Sequence, residues 1–158
     1  MTRIIGILFV PLVDGAFREK KPTTNAELAE IWYTTNGGGW NRTGHYNSSR
    51  YHMINLHAYF NRYHTIEFRC FNFDEQTEDR KGGLHAGQLK AMIQLCLAMS
   101  QLAKQSKTIS PRPQQTDNEA YAFRCWMLRL GFIGDEFKTA REYFMRNFEG
   151  NAAWRHAA

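Results

Sequence analysis

Glu67-Phe68-Arg69 is where residue types and spacing in this sequence come nearest to chemistry. On a strand, residues two apart share a face, with Cα atoms about 6–7 Å apart. A carboxylate and a guanidinium held that way can grip one magnesium nucleotide, Glu67 on the metal and Arg69 on the phosphate it bridges. Arginine suits the task better than lysine, because its planar fork meets two phosphate oxygens at once. The same spacing also describes a half-exposed strand whose charges stay solvated or pair with neighbours. Spacing alone favours that plainer reading.

Asn55 and His57 share the polar face of the preceding stretch, and Arg50 lies just before it. If the two stretches pair as a hairpin, these side chains stand beside Glu67 and Arg69. Asn55 could then hydrogen-bond a ligand and Arg50 could add a second positive charge, although Arg50 fits a solvated surface position equally well. Other chemistries find less support. His45, His52, His64 and His85 have no HxH or HExxH spacing, which argues against a zinc cluster. No GxSxG occurs, and no cysteine sits at a helix start that would activate it. Gly37-Gly38-Gly39 lacks the Lys-Ser/Thr of a phosphate-binding loop and reads as a linker.

The elements that must position these residues follow from periodicity. Thr24-x-x-Glu27 has the form of a capping box and opens a short helix within 22–33. Residues 34–49, rich in Gly, Asn, Thr and Ser, form a loop. Alternation over 51–60 and again over 64–73 predicts two strands joined through Asn61-Arg62-Tyr63. Residues 84–104 carry apolar side chains nearly all round, which predicts a central buried helix. Thr116-x-x-Glu119 caps a helix that Gly131 stops, and Asp135 caps a final one that Gly150 stops.

A hydrophobic fraction of 43% over 158 residues supplies a real core, which excludes a disordered or disulfide-scaffold chain. The formal charge of +5 suits an anionic partner without choosing one. Basic residues of the late helices are interspersed with acidic ones, which argues against a nucleic-acid face. Cys70, Cys96 and Cys125 form no CxxC pair and read as reduced thiols of a cytoplasmic protein. The apolar run at 4–13 is too short to cross a bilayer and reads as a buried element.

Several segments together resemble the amidoligase family. They are Arg50-Tyr51-His52-x-x-Asn55-Leu56-His57, Thr65-Ile66-Glu67-Phe68-Arg69-x-Phe71-Asn72, and Leu84-His85-Ala86-Gly87 leading into Ile93-Gln94-Leu95-Cys96-Leu97-Ala98. The run from Arg129 through Gly131, Asp135 and Phe137 to Arg141 resembles the family's C-terminal signature, as does Ala153-Trp154-Arg155. The likeness spans about 20–156 in order. It implies a carboxylate–amine ligase related to glutamine synthetase and glutamate–cysteine ligase, which uses ATP and Mg²⁺ to activate a carboxylate for attack by an amine. On that resemblance Glu67 is a metal ligand, Arg69 binds and neutralises the transferring phosphate, and Arg50 and Asn55 line the nucleotide or substrate side.

The expected fold is α+β, a small antiparallel sheet (hairpin about 51–73) packed against C-terminal helices as a partial glutamine synthetase-like catalytic domain. One domain is expected over 1–158, with 1–20 divergent and 21–158 the amidoligase-like portion. The family's opening Glu-x-Glu strand and its later His-x-His segment have no counterpart here. The expectation is therefore a truncated ligase, its site completed by a protein partner or by a second copy in a homo-oligomer. The other reading is an incomplete ligase scaffold that serves as a protein-binding or inhibitory module. An acidic insertion at 73–83 adds Asp74, Glu75, Glu78 and Asp79 where the family turns tightly.

Overall fold

The computed structural model describes residues 21–34, 53–61, 63–73, 83, 85–106 and 116–155. They fall into two compact units, 21–70 in one and 71–155 in the other. The described elements make an α+β fold with one two-stranded antiparallel sheet. No helix among the described residues is long and apolar enough to cross a membrane. The loop at 35–49, the early apolar run and the carboxylates of the acidic insertion lie outside the described residues.

In the first unit, helix α1 (Asn25–Thr34) begins at the expected capping box. The Glu27 N–H donates to Thr24 Oγ1 at 3.2 Å, and Glu27 Oε2 accepts from the Thr24 N–H at 3.2 Å and the Thr23 N–H at 2.8 Å. Those donors hold the exposed Glu27 carboxyl below its usual range. Strand β1 (Ile54–Asn55) pairs antiparallel with β2 (Glu67–Phe68), Ile54 opposite Phe68 and Asn55 opposite Glu67. The strands are much shorter than the alternation suggested. Residues His57–Asn61 form a short helix, α2, where the pattern predicted more strand. The cause is local: Asn55 Oδ1 accepts from the His57 N–H at 3.1 Å, an Asx turn that bends the chain out of the sheet. After α2 the chain turns through His64, at φ 51°, with the Tyr63 and His64 N–H groups both donating to the Ala58 carbonyl.

In the second unit, α3 (Ala86–Gln105), α4 (Glu119–Arg129) and α5 (Lys138–Met145) surround one core. Ala91, Leu95, Phe123, Met127, Leu130, Phe132, Ala140 and Phe144 are its buried members. Gly87 admits α5 closely, since a Cβ there would lie 3.2 Å from Thr139 Cγ2. Only one face of α3 is covered, contrary to the all-round burial expected. Leu89, Ile93 and Leu97, one turn apart, are 40%, 51% and 66% exposed. The second helix is capped by Asn118 rather than Thr116. Asn118 Oδ1 accepts from the Tyr121 N–H at 3.0 Å, while Thr116 Oγ1 accepts from the Asn118 N–H. Gly131 ends α4 as expected, at φ 85°, with Phe132 N–H donating to Met127 and Gly131 N–H to Leu128, the paired bonds of a Schellman stop. Asp135 opens a 3₁₀ turn, Asp135–Phe137, whose N-cap is Gly134, and α5 follows it with Phe137 as its N-cap. Arg141 fastens that connection by donating to the Phe132 and Gly134 carbonyls at 3.1 and 2.8 Å.

Candidate functional site

The register of the short sheet builds the site. Because Asn55 lies opposite Glu67, their side chains emerge on one face, and Asn55 Nδ2 donates to Glu67 Oε2 at 2.7 Å. Two residues along, Arg69 returns to the same side, and its Nε lies 3.6 Å from Glu67 Oε1. The Arg69 N–H also donates to the Met53 carbonyl at 2.7 Å, which carries the pairing beyond the strand ends. Three of the sequence candidates therefore converge: Asn55, Glu67 and Arg69. Arg50 lies outside the described residues.

Their exposure differs in a way that bears on their roles. The Glu67 side chain is 53% exposed and that of Arg69 26%, so the carboxylate faces solvent with a guanidinium at its flank. An ion pair this open contributes about 0–1 kcal/mol to stability. Its weight lies in the charge pattern it presents. Asn55, by contrast, is 6% exposed, and both ends of its amide are engaged: Oδ1 accepts from Tyr33 Oη at 3.0 Å and from the His57 N–H, while Nδ2 serves Glu67.

Tyr33 is the residue that sequence reasoning missed. It sits near the end of α1, fully buried, and its hydroxyl accepts from the Leu56 N–H at 2.8 Å while donating to Asn55. Burial, with the Glu67 charge adding to it and the Leu56 hydrogen bond opposing it, pushes the phenol up to about 12. It remains a donor across the physiological range. The available signal was a tyrosine one turn after the buried Ala29, an aromatic body whose polar tip must find a partner. His57, expected beside Asn55 on a strand, instead starts α2; its ring lies 5.4 Å from that of Tyr33 and its Nδ1 lies 3.3 Å from Asn61 Nδ2.

Chemically, the site offers a hard carboxylate oxygen next to a guanidinium. A carboxylate oxygen suits a small divalent ion such as Mg²⁺, which takes one or two carboxylates and completes its shell with water and phosphate. No group of three His, Cys, Asp or Glu side chains gathers to hold a metal among the described residues. No disulfide joins the three cysteines, and burial pushes the Cys96 thiol up, away from thiolate chemistry.

No curated protein and no solved structure matches the chain significantly. A family described as "Putative amidoligase enzyme" matches residues 9–100. That span takes in 9–20, which the sequence resemblance left aside, and stops before the Arg129–Arg141 and Ala153–Arg155 segments. It contains every residue of the site just described, and it covers more than half of the sequence. The chain belongs to the amidoligase family.

Proposed function

We propose that the chain works as an ATP-dependent carboxylate–amine ligase whose nucleotide and metal meet at the Glu67–Arg69 pair. The observation that carries this reading is a half-exposed carboxylate on β2 with a guanidinium 3.6 Å away, just past the strand's end, and the carboxylate anchored from β1. Glu67 would hold Mg²⁺ through a carboxylate oxygen, and Arg69 would take the phosphate oxygens that the cation bridges. When bound, Mg·ATP supplies the phosphoryl group that activates a carboxylate for attack by an amine. The chain's own contribution is positioning and charge neutralisation, the two things phosphoryl transfer requires most.

A single glutamate leaves most of an octahedral shell to other oxygens. Water and phosphates supply some. Arg50, further carboxylates beyond the described residues, a protein partner or a second copy of the chain would supply the rest of the site. Three thiols without a disulfide suit the reducing cytoplasm.

Calorimetry on the full chain tests the reading. Millimolar ATP should bind in the presence of Mg²⁺, and Arg69→Ala should abolish that binding. Absence of any heat of binding from the unaltered chain at millimolar Mg·ATP would sink the proposal.

A further inference from the structure

We propose that Tyr33 and Asn55 are positioning residues that fix the Glu67 carboxylate in one orientation, Oε2 tied to Asn55 and Oε1, on the Arg69 side at 3.6 Å from its Nε, presented to the cation. The inference rests on the reading of Glu67 as the metal-holding carboxylate and extends it to two side chains that need touch neither metal nor nucleotide.

Hydrogen-bond polarity sets the orientation. Leu56 N–H is a backbone donor and can only donate, so Tyr33 Oη must accept from it at 2.8 Å. The hydroxyl proton is thereby directed to its other neighbour, Asn55 Oδ1, at 3.0 Å. His57 N–H, a second obligatory donor, points at the same Oδ1 from 3.1 Å. Two donors that cannot reverse thus decide which end of the Asn55 amide is oxygen. The nitrogen must then face β2, where it donates to Glu67 Oε2 at 2.7 Å.

A free Asn–Glu contact could swap ends or swing away. This one cannot, because Asn55 is 6% exposed and Tyr33 is fully buried within the same chain of bonds. The relay therefore runs from α1 through β1 to β2 in a single direction. A magnesium ion gains from such an arrangement, since it demands near-ideal geometry and its carboxylate ligands are steadied by hydrogen bonds to the oxygen it leaves. Asn55, which the resemblance implied would line the nucleotide, acts on this account through Glu67.

The test uses the full chain, with Mn²⁺ read by electron spin resonance. Asn55→Ala should weaken Mn²⁺ binding about 10–100-fold, the usual cost of losing a hydrogen-bond partner of a ligand, and Tyr33→Phe, one bond further from Glu67, should weaken it in the same direction by less. ATP affinity with the metal chelated should not change; a general structural lesion would lower both. On a Glu67→Gln background Tyr33→Phe should have no further effect on Mn²⁺. If Tyr33→Phe does not fold, the selective loss in Asn55→Ala carries the test. Unchanged Mn²⁺ affinity in the folded variant would overturn the proposal.

A metal-free readout separates this claim from the one beneath it. Nuclear magnetic resonance of the unliganded chain should show slowly exchanging Asn55 side-chain amide protons, lost in Tyr33→Phe. If the unaltered chain binds no Mn²⁺, the metal reading fails while that loss still supports the relay. Protection that persists in Tyr33→Phe overturns the relay whatever the metal does.

Discussion

Asn118 has two separable tasks, and replacing it separates them. Its Oδ1 caps α4 by accepting from the Tyr121 N–H, and its Nδ2 donates to the Asn151 and Trp154 carbonyls, both at 2.9 Å. The cap is worth about 1 kcal/mol. The two tail bonds, being exposed, sit at the low end of the usual range, about 0.5 kcal/mol each. Asn118→Ala should therefore cost about 2 kcal/mol, a fall in Tm of about 4–8 °C for a chain of this size.

Asn118→Asp is the sharper variant. It keeps the capping oxygen and adds a negative charge at a helix N-terminus, worth about 0.3–1 kcal/mol in its favour. It also turns an acceptor toward two carbonyl oxygens that now receive a donor. If capping were the whole story, the aspartate would match or exceed the native chain. The two lost tail bonds, about 1 kcal/mol together, and the repulsion between the carboxylate and the two carbonyls outweigh that gain and leave the variant less stable by about 0.5 kcal/mol, with faster amide exchange over 151–154. Urea unfolding followed by circular dichroism, together with hydrogen exchange, reads both quantities. An Asn118→Asp chain as stable as the native one would refute the reasoning.

Two further outcomes follow from the same structure. Phe132 is fully buried, with the Phe137 ring 4.9 Å away, so Phe132→Ala should destabilise the second unit by about 3–5 kcal/mol in urea titration. Tyr33, with its folded pKa pushed up to about 12 from 10.0, binds its proton more tightly when folded; the stability it lends is complete below about pH 10 and is lost as pH rises through about 12. Tyr33→Phe should flatten that alkaline loss, measured by unfolding at a series of pH values.

The polar face of the hairpin was legible because alternation and a period of two carry register information: Glu67 and Arg69 share a side, and Asn55 comes opposite Glu67. The length of β1 was not legible. Its end is set by a side chain that folds back on its own backbone, the Asn55–His57 turn, and by a hydroxyl that arrives from 22 residues upstream. Periodicity contains neither. The capping box at Thr24 and Glu27 formed as written, whereas the similar pattern at Thr116 and Glu119 gave way to Asn118, whose amide also had the tail to hold. In α3 the apolar count was right and the inference of all-round burial was not, since composition counts residues and says nothing of how many neighbours cover them. The family match and the motif resemblance overlap over 50–57, 65–72 and 84–98, and the second of these holds Glu67 and Arg69.

The most direct test of the central claim is to locate the metal nucleotide on the chain. Mn·ATP titrated into isotope-labelled protein broadens the magnetic resonance signals nearest the paramagnetic ion. The account predicts that Glu67, Arg69 and the Asn55 side-chain amide broaden first, and that Glu67→Gln removes the effect. Broadening confined to the helices of the second unit, with the Asn55–Glu67–Arg69 cluster untouched, would contradict it.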